Sequence, residues 1–227
     1  MRELRFSDSL KLGRFAANNS IKEIKLSRMM KKVLLFAFVA GLISLGAAAQ
    51  DKKLPPLDAS PMDMAYYPVM YPYVVKVKGE PGALVARVIY SRPQTKGRDI
   101  FGNLEEYGKI WRLGANEATE IEFFRPVLIA GKSIPKGRYT LYAIPTEKTW
   151  TIILNKETDI WGAFKYDPKK DVVRTALPVM SLDTPVEAFT MVFEKGDPGA
   201  NLIIAWDKVS VSLPIKWTDA VVATKKK

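Results

Sequence analysis

The sequence predicts an all-β chain: a single antiparallel β-sandwich, with a jelly roll as one arrangement open to it, and little helix. Three observations carry that prediction. Short apolar runs alternate with polar residues at period two, the pattern of half-buried strands. Gly- and Pro-containing turn segments separate the runs at fairly even intervals. Helical periodicity is scarce, since "NLEEYGKI" suggests only one turn and Gly108 cuts it short.

Residues 1–49 stand outside that fold. Lys31 and Lys32 precede an apolar run from Val33 to Leu45, and Ala47-Ala48-Ala49 follow. This is the order of a secretory signal peptide cleaved after Ala49. The run is shorter than the about 20 residues that a membrane helix needs. The residues before Met29 fit no ordinary signal. They place the translation start at Met29 or Met30, or else form a long n-region from Met1. The expected product is exported to the periplasm or the medium, soluble after cleavage, and meets the membrane only during export.

Residues 50–72 hold Pro55, Pro56, Pro61, Pro68 and Pro72 among several tyrosines. Proline at this density disfavours helix and inner strand, so an extended arm is expected here. The sandwich is assigned to residues 73–217, and 218–227 form a basic tail. "YVVKVKG" and "ALVARVIYS" flank a Gly79-Glu80-Pro81-Gly82 turn and suggest a hairpin. "TEIEFF" alternates Glu120 and Glu122 with Ile121 and Phe123. "RYTLYAI" and "TWTIILN" flank a turn at Pro145 to Lys148, and "VEAFTMVFE", "NLIIAW" and "KVSVSLPIKW" read as a closing meander. In the last, Val209, Val211, Leu213, Ile215 and Trp217 share a face, and Pro214 demotes the strand to an edge.

Composition narrows the chemistry. The chain has neither His nor Cys. Disulfides, lipidation at cysteine, the usual zinc sites, Ser-His-Asp triads and Cys nucleophiles are therefore excluded. No cofactor is expected. Nine of the 35 Lys and Arg and three of the 24 Asp and Glu fall within residues 1–49, which leaves the remainder at +5. So mild an excess is no footprint for nucleic acid.

The segments "VIYSRPQTKGRDIFG", "GKIWRLGANEAT", "GKSIPKGRYTLYAIP", "WTIILN", "WGAFKY" and "DVVR" occur in that order. On these motifs the chain, over roughly residues 60–217, resembles a family of secreted bacterial proteins whose domain has no known function. The resemblance implies an exported single-domain protein and supplies no activity. At "FFRPVLIAG", Arg125-Pro126 interrupts a strand that in the family reads more continuously.

The long connection from Ser91 to Thr119 is the strongest site candidate, because connections longer than about 12 residues tend to be functional or disordered. Arg92, Lys96, Arg98, Arg112, Asn116 and Glu117 could line a ligand site there, with arginine forks holding a carboxylate, phosphate or sugar hydroxyls. The competing reading is a network that only satisfies the loop's own backbone, with Arg112 and Glu117 as an internal ion pair. Asp99 and Glu117 could also serve as acid and base of a glycan hydrolase. Ser91 and Lys96 lack the spacing of a Ser-Lys acyl enzyme. Among the aromatics, Trp150 lies in a strand pattern and belongs in the core, whereas Trp161 and Tyr166 are candidates for exposure.

The expectation is a binding or interaction module of the cell envelope, for a small polar, anionic or glycan ligand or for an envelope protein. A metal-independent hydrolase and a structural envelope protein are the alternatives. Export should leave Gln50 as the first residue. Intact-mass analysis of protein recovered from an exporting bacterial host checks this, and a mass that still includes Val33 to Leu45 would mark that run as an anchor.

Overall fold

The computed structural model describes residues 25–35 and 54–217. The chain divides into a unit ending at Pro56 and a unit starting at Leu57. In the first, residues 25–35 are α-helical. Most of the apolar run to Leu45, the alanines at 47–49 and the basic tail lie outside the described residues. No helix among the described residues is long and apolar enough to cross a membrane.

Among the described residues of the second unit the alternating segments become ten strands. They are β1 Met62–Tyr67, β2 Ala86–Ser91, β3 Glu120–Phe123, β4 Val127–Ile129, β5 Lys132–Ile134, β6 Gly137–Pro145, β7 Thr149–Asn155, β8 Asp171–Pro178, β9 Met180–Gly196 and β10 Gly199–Ile215. Six of them form one sheet in the order β1-β2-β3-β6-β7-β8. Every pairing in it is antiparallel. The long β9–β10 ribbon forms a second layer, and the β4–β5 hairpin joins it through two backbone bonds between Leu128 and Lys216. Within the large sheet each strand pairs with the next in chain order, except that between β3 and β6 the chain crosses to the ribbon layer for the β4–β5 hairpin and then returns.

The core lies between these layers. Val88, Ile121, Leu141, Trp150 and Ile152 point into it from the large sheet, and Phe189, Leu202, Ile204, Trp206 and Leu213 from the ribbon. Each such side chain contributes about 1.5–3 kcal/mol through burial. The other face of β6 and β7 is covered as well. There Tyr142 and Ile153 pack with Ala118 beneath Ile160, Ala163 and Tyr166 of the β7–β8 connection. Burial on both faces explains why "TLYAI" and "TIILN" read as nearly continuous apolar runs.

Four local expectations differ from the structure. The closing meander is a two-stranded ribbon, because "NLIIAW" and the run after it form one continuous strand, β10. The partner of β2 is Met62–Tyr67, taken from the segment expected to be an arm, with Met62 opposite Ser91 and Tyr67 opposite Ala86. Pro61 and Pro68 bound that strand without interrupting it, which an edge strand tolerates. Because β1 and β3 occupy both edges of β2, "YVVKVKG" has no edge to join, and Pro72–Val77 forms a π-helical turn instead. The expected helical turn at "NLEEYGKI" is a pair of tight turns, the first closed by a Phe101–Glu105 bridge. At Arg125-Pro126 the interruption is real: β3 ends at Phe123 and β4 starts at Val127.

Five aromatic rings occupy the middle of the core. Trp111 stacks on Trp206 at 5.9 Å and meets Trp150, Phe189 and Phe101 edge-on at 5.6, 5.3 and 5.8 Å. Trp161, by contrast, is 61% exposed. Trp111→Ala should therefore cost about 3–5 kcal/mol, and Trp161→Ala less than about 0.5 kcal/mol. Urea unfolding of the two variants against the parent measures the difference.

Candidate functional site

The connection from residue 92 to 119 carries most of the candidate residues, and it is fastened along its length. Isolated bridges tie Gln94 to Ala188 on β9, Trp111 to Ala143 on β6, and Glu117 to Trp161 in the β7–β8 connection. Ile100, Trp111 and Leu113 are buried. These anchors give a segment without regular strands a single path.

The stretch "WRLGANEAT" turns sharply, with positive φ at Leu113, Gly114 and Asn116. A Cβ at Gly114 would lie 3.0 Å from the Ser91 carbonyl oxygen, and its φ is +145°, so a side chain there would be both crowded and strained. Side chains then satisfy the turn's carbonyls. Ser91 Oγ donates to Ala115 O at 2.6 Å, Trp111 Nε1 to Gly114 O at 3.3 Å, and Thr119 Oγ1 to Leu113 O. The internal network expected of Arg112, Asn116 and Glu117 is thus built by Ser91, Trp111 and Thr119.

The arginines separate by role. Arg92 donates to Asp63 on β1 at 3.0 Å, to Phe189 O at 3.1 Å and to Thr190 Oγ1 at 2.9 Å, so it staples β1 and β2 to β9. Arg98 folds onto its own loop, donating to Thr95 O at 2.9 Å and Gln94 O at 2.6 Å. Lys96 and Arg98 line a shallow cleft with Ala59, Ser60 and Gln94. Arg112 is half-buried, and its Nε is fully buried with no hydrogen-bond partner.

Glu117 opens elsewhere. It is exposed and lines a cleft of about 150 Å³ on the outer face of the large sheet, with Met62, Ile89, Ala118, Glu120, Asp159 and Ile160. Asp99 is exposed and does not line this cleft. Two of the cleft's carboxylates are neutralised from one side. Arg138 reaches Glu120 at 3.2 Å and Asp159 at 2.6 Å. Glu120 also accepts the Asp159 N–H at 2.6 Å. Glu117 makes no ion pair or side-chain hydrogen bond among the described residues. Its backbone bridges to Trp161, whose ring stands in solvent. Tyr166, the other aromatic expected to be exposed, is half-buried, donating to Asp171 at 2.6 Å and accepting from Arg174 at 2.5 Å. Among the described residues, no group of three or more carboxylates is disposed to hold a metal ion.

One titratable group escaped sequence reasoning. Burial pushes the half-buried Glu105 carboxyl up to about 7, against the opposing pull of Arg112 and Arg98. The available signal was spacing, because the two arginines stand seven residues to either side of Glu105, beside apolar Phe101 and Leu104.

A carboxyl whose pKa is raised on folding favours the folded state while it holds its proton there. That contribution is complete below about pH 4.5 and is lost as pH rises through about 7. Stability should thus fall by about 3 kcal/mol across that interval, since each tenfold change in proton affinity is worth about 1.4 kcal/mol. Glu105→Gln should flatten this slope in urea titrations run over the same pH range, and an unchanged slope would assign it to another group.

Residues 75–215 match a family model described as Protein of unknown function (DUF2911). The match spans β2 through β10 and leaves β1 outside. No curated protein and no solved structure matches the chain. With the match covering more than half of its length, the chain belongs to the DUF2911 family.

Proposed function

We propose that the protein is an exported binding module of the cell envelope that takes a sugar or the end of a glycan in the cleft beside Glu117 and Trp161. Export rests on the order of basic, apolar and small residues from Lys31 to Ala49. The ligand class rests on one juxtaposition: a carboxylate free of internal partners lines a cleft with Met62, Ile89 and Ile160, and its backbone bridges to that of Trp161, whose indole is left in solvent. An exposed indole stacks on the C–H face of a sugar ring, and a carboxylate accepts its hydroxyl hydrogens. The Asp159 oxygen not engaged by Arg138 adds a further acceptor at the rim. A cleft of about 150 Å³ is well below the roughly 300–1,000 Å³ of drug-sized pockets. Only a terminal ring enters it, and the remainder of a chain lies across Trp161.

Titration with glucose, galactose, N-acetylglucosamine and their disaccharides, followed by calorimetry and tryptophan fluorescence, tests the site. At least one sugar should bind saturably. Trp161→Ala and Glu117→Gln should each weaken it about tenfold, the equivalent of about 1.4 kcal/mol. No saturable binding across the panel, or binding equal to the parent's in both variants, would remove this reading.

A further inference from the structure

Between β1 and β2 the chain puts out a projection that the fold does not use. None of the residues of the Pro72–Val77 turn is buried. Val69, Met70, Tyr73 and Val77 are all exposed, Val77 to 72%. The turn closes on itself through local bonds: Tyr73 N–H to Met70 O at 2.9 Å, Val74 N–H to Met70 O at 3.0 Å, and Lys78 N–H to Tyr73 O at 2.9 Å. Single exposed apolar residues are ordinary, but four within nine residues on one local turn form a patch of the kind that marks an interaction surface.

The charges around the patch identify its partner. From Met64 to Gly79 the sequence contains no Asp or Glu, while Lys76 and Lys78 sit beside the apolar side chains. The nearest acids in sequence are Glu80, at the exit of the turn, where its N–H donates to Val74 O at 3.2 Å, and Asp63, which is paired with Arg92. Lys76 Nζ lies 5.8 Å from the centre of the Tyr71 ring, and Lys78 Nζ 5.2 Å from that of Tyr73. Aliphatic tips, tyrosines with an apolar body and polar end, and lysines whose stems lie along apolar surface match the headgroup boundary of a bilayer. An apolar groove on a protein would accept the valines and Met70 but would leave two lysines to be matched separately. A surface of anionic lipid meets both requirements continuously.

We infer that the Val69–Lys78 projection docks the protein on anionic membrane, with Val69, Met70, Tyr73 and Val77 at the acyl boundary and Lys76 and Lys78 against lipid phosphates. The contact is peripheral and reversible, because one turn and two cations fall well short of an anchoring helix. It is independent of the Glu117 cleft.

Co-sedimentation of the full chain with phosphatidylcholine vesicles, and with vesicles carrying about 30% phosphatidylglycerol, tests the inference. At roughly 1 kcal/mol per lysine, binding to the anionic vesicles should be about thirtyfold tighter and should weaken as salt is added. Lys76→Glu with Lys78→Glu, and separately Tyr73→Ser with Val77→Ser, should each reduce binding at least tenfold without altering Tm or sugar titrations. Absence of sedimentation with either vesicle would overturn the inference. So would equal binding by the parent and both double variants, which would assign the membrane contact to the apolar run at Val33 to Leu45.

Discussion

The contact on which the rest of the structure depends is the packing of Trp111 against Trp206 and Trp150. Trp206 belongs to β10 and Trp150 to β7, so those two rings come from opposite layers of the sandwich. Trp111 arrives from neither sheet but from the 92–119 connection, together with Phe101, whose ring is 4.9 Å from Trp150. Phe189 of β9 closes the group at 5.8 Å from Trp206. Each aromatic pair adds about 0.5–1.5 kcal/mol to the burial of its rings. In a chain without cysteine, this cluster does the fastening between layers that a disulfide does in many secreted domains.

That role constrains what the connection can do. A segment that must deliver Trp111 and Phe101 into the core cannot also be a loose loop, and its polar residues are committed accordingly. Arg92 joins three strands, and Ser91 and Thr119 satisfy the carbonyls exposed by the sharp turn at Gly114. Side chains left without internal work lie at the margins, at Glu117 and Trp161 on the outer face and at the turn between β1 and β2. The exception is Arg112, whose buried Nε has no acceptor. With Arg98, it lowers the affinity of Glu105 for a proton without overcoming the effect of burial.

Strands with one buried face were legible in part: β8, with Val172, Val173 and Leu177 buried, was not among those expected, whereas the alternation of the last strand was. Val211, Leu213 and Ile215 are buried as their alternation requires, with Val209 and Trp217 packed against the same core. The partner of β2 was not legible. Both "MDMAYY" and "YVVKVKG" alternate, and the choice between them depends on which edge is free, a property of the whole sheet. Prolines also misled: Pro61 and Pro68 argue for an extended arm, yet they delimit the edge strand β1, where Asp63 Oδ1 accepts the Met64 N–H at 2.7 Å. For the candidate site, the sequence marked the 92–119 connection as unusual but could not sort its side chains. Whether Arg92 is a ligand contact or a staple depends on Phe189 and Thr190, almost a hundred residues away. The pairing of Glu117 with Trp161 is equally non-local.

The extent of the family match adds a last distinction. Phe101, Trp111, Trp150, Phe189 and Trp206 all fall within the matched residues 75–215, so the whole aromatic cluster belongs to the shared architecture. β1 precedes that span, yet it contributes Met62 to the outer-face cleft and Asp63 to the Arg92 staple. Val69, Met70 and Tyr73 of the projection precede it too. The cleft is therefore composite: Glu117, Ala118, Glu120, Asp159 and Ile160 come from the shared region, and one wall comes from the strand added at its edge. β1 also packs on the core through Ala65 and Tyr67, whose ring lies 5.3 Å from that of Trp217 and 6.2 Å from that of Phe193. The matched span thus supplies the core rings and most of the cleft, while β1 completes one wall of the cleft and closes one flank of the core.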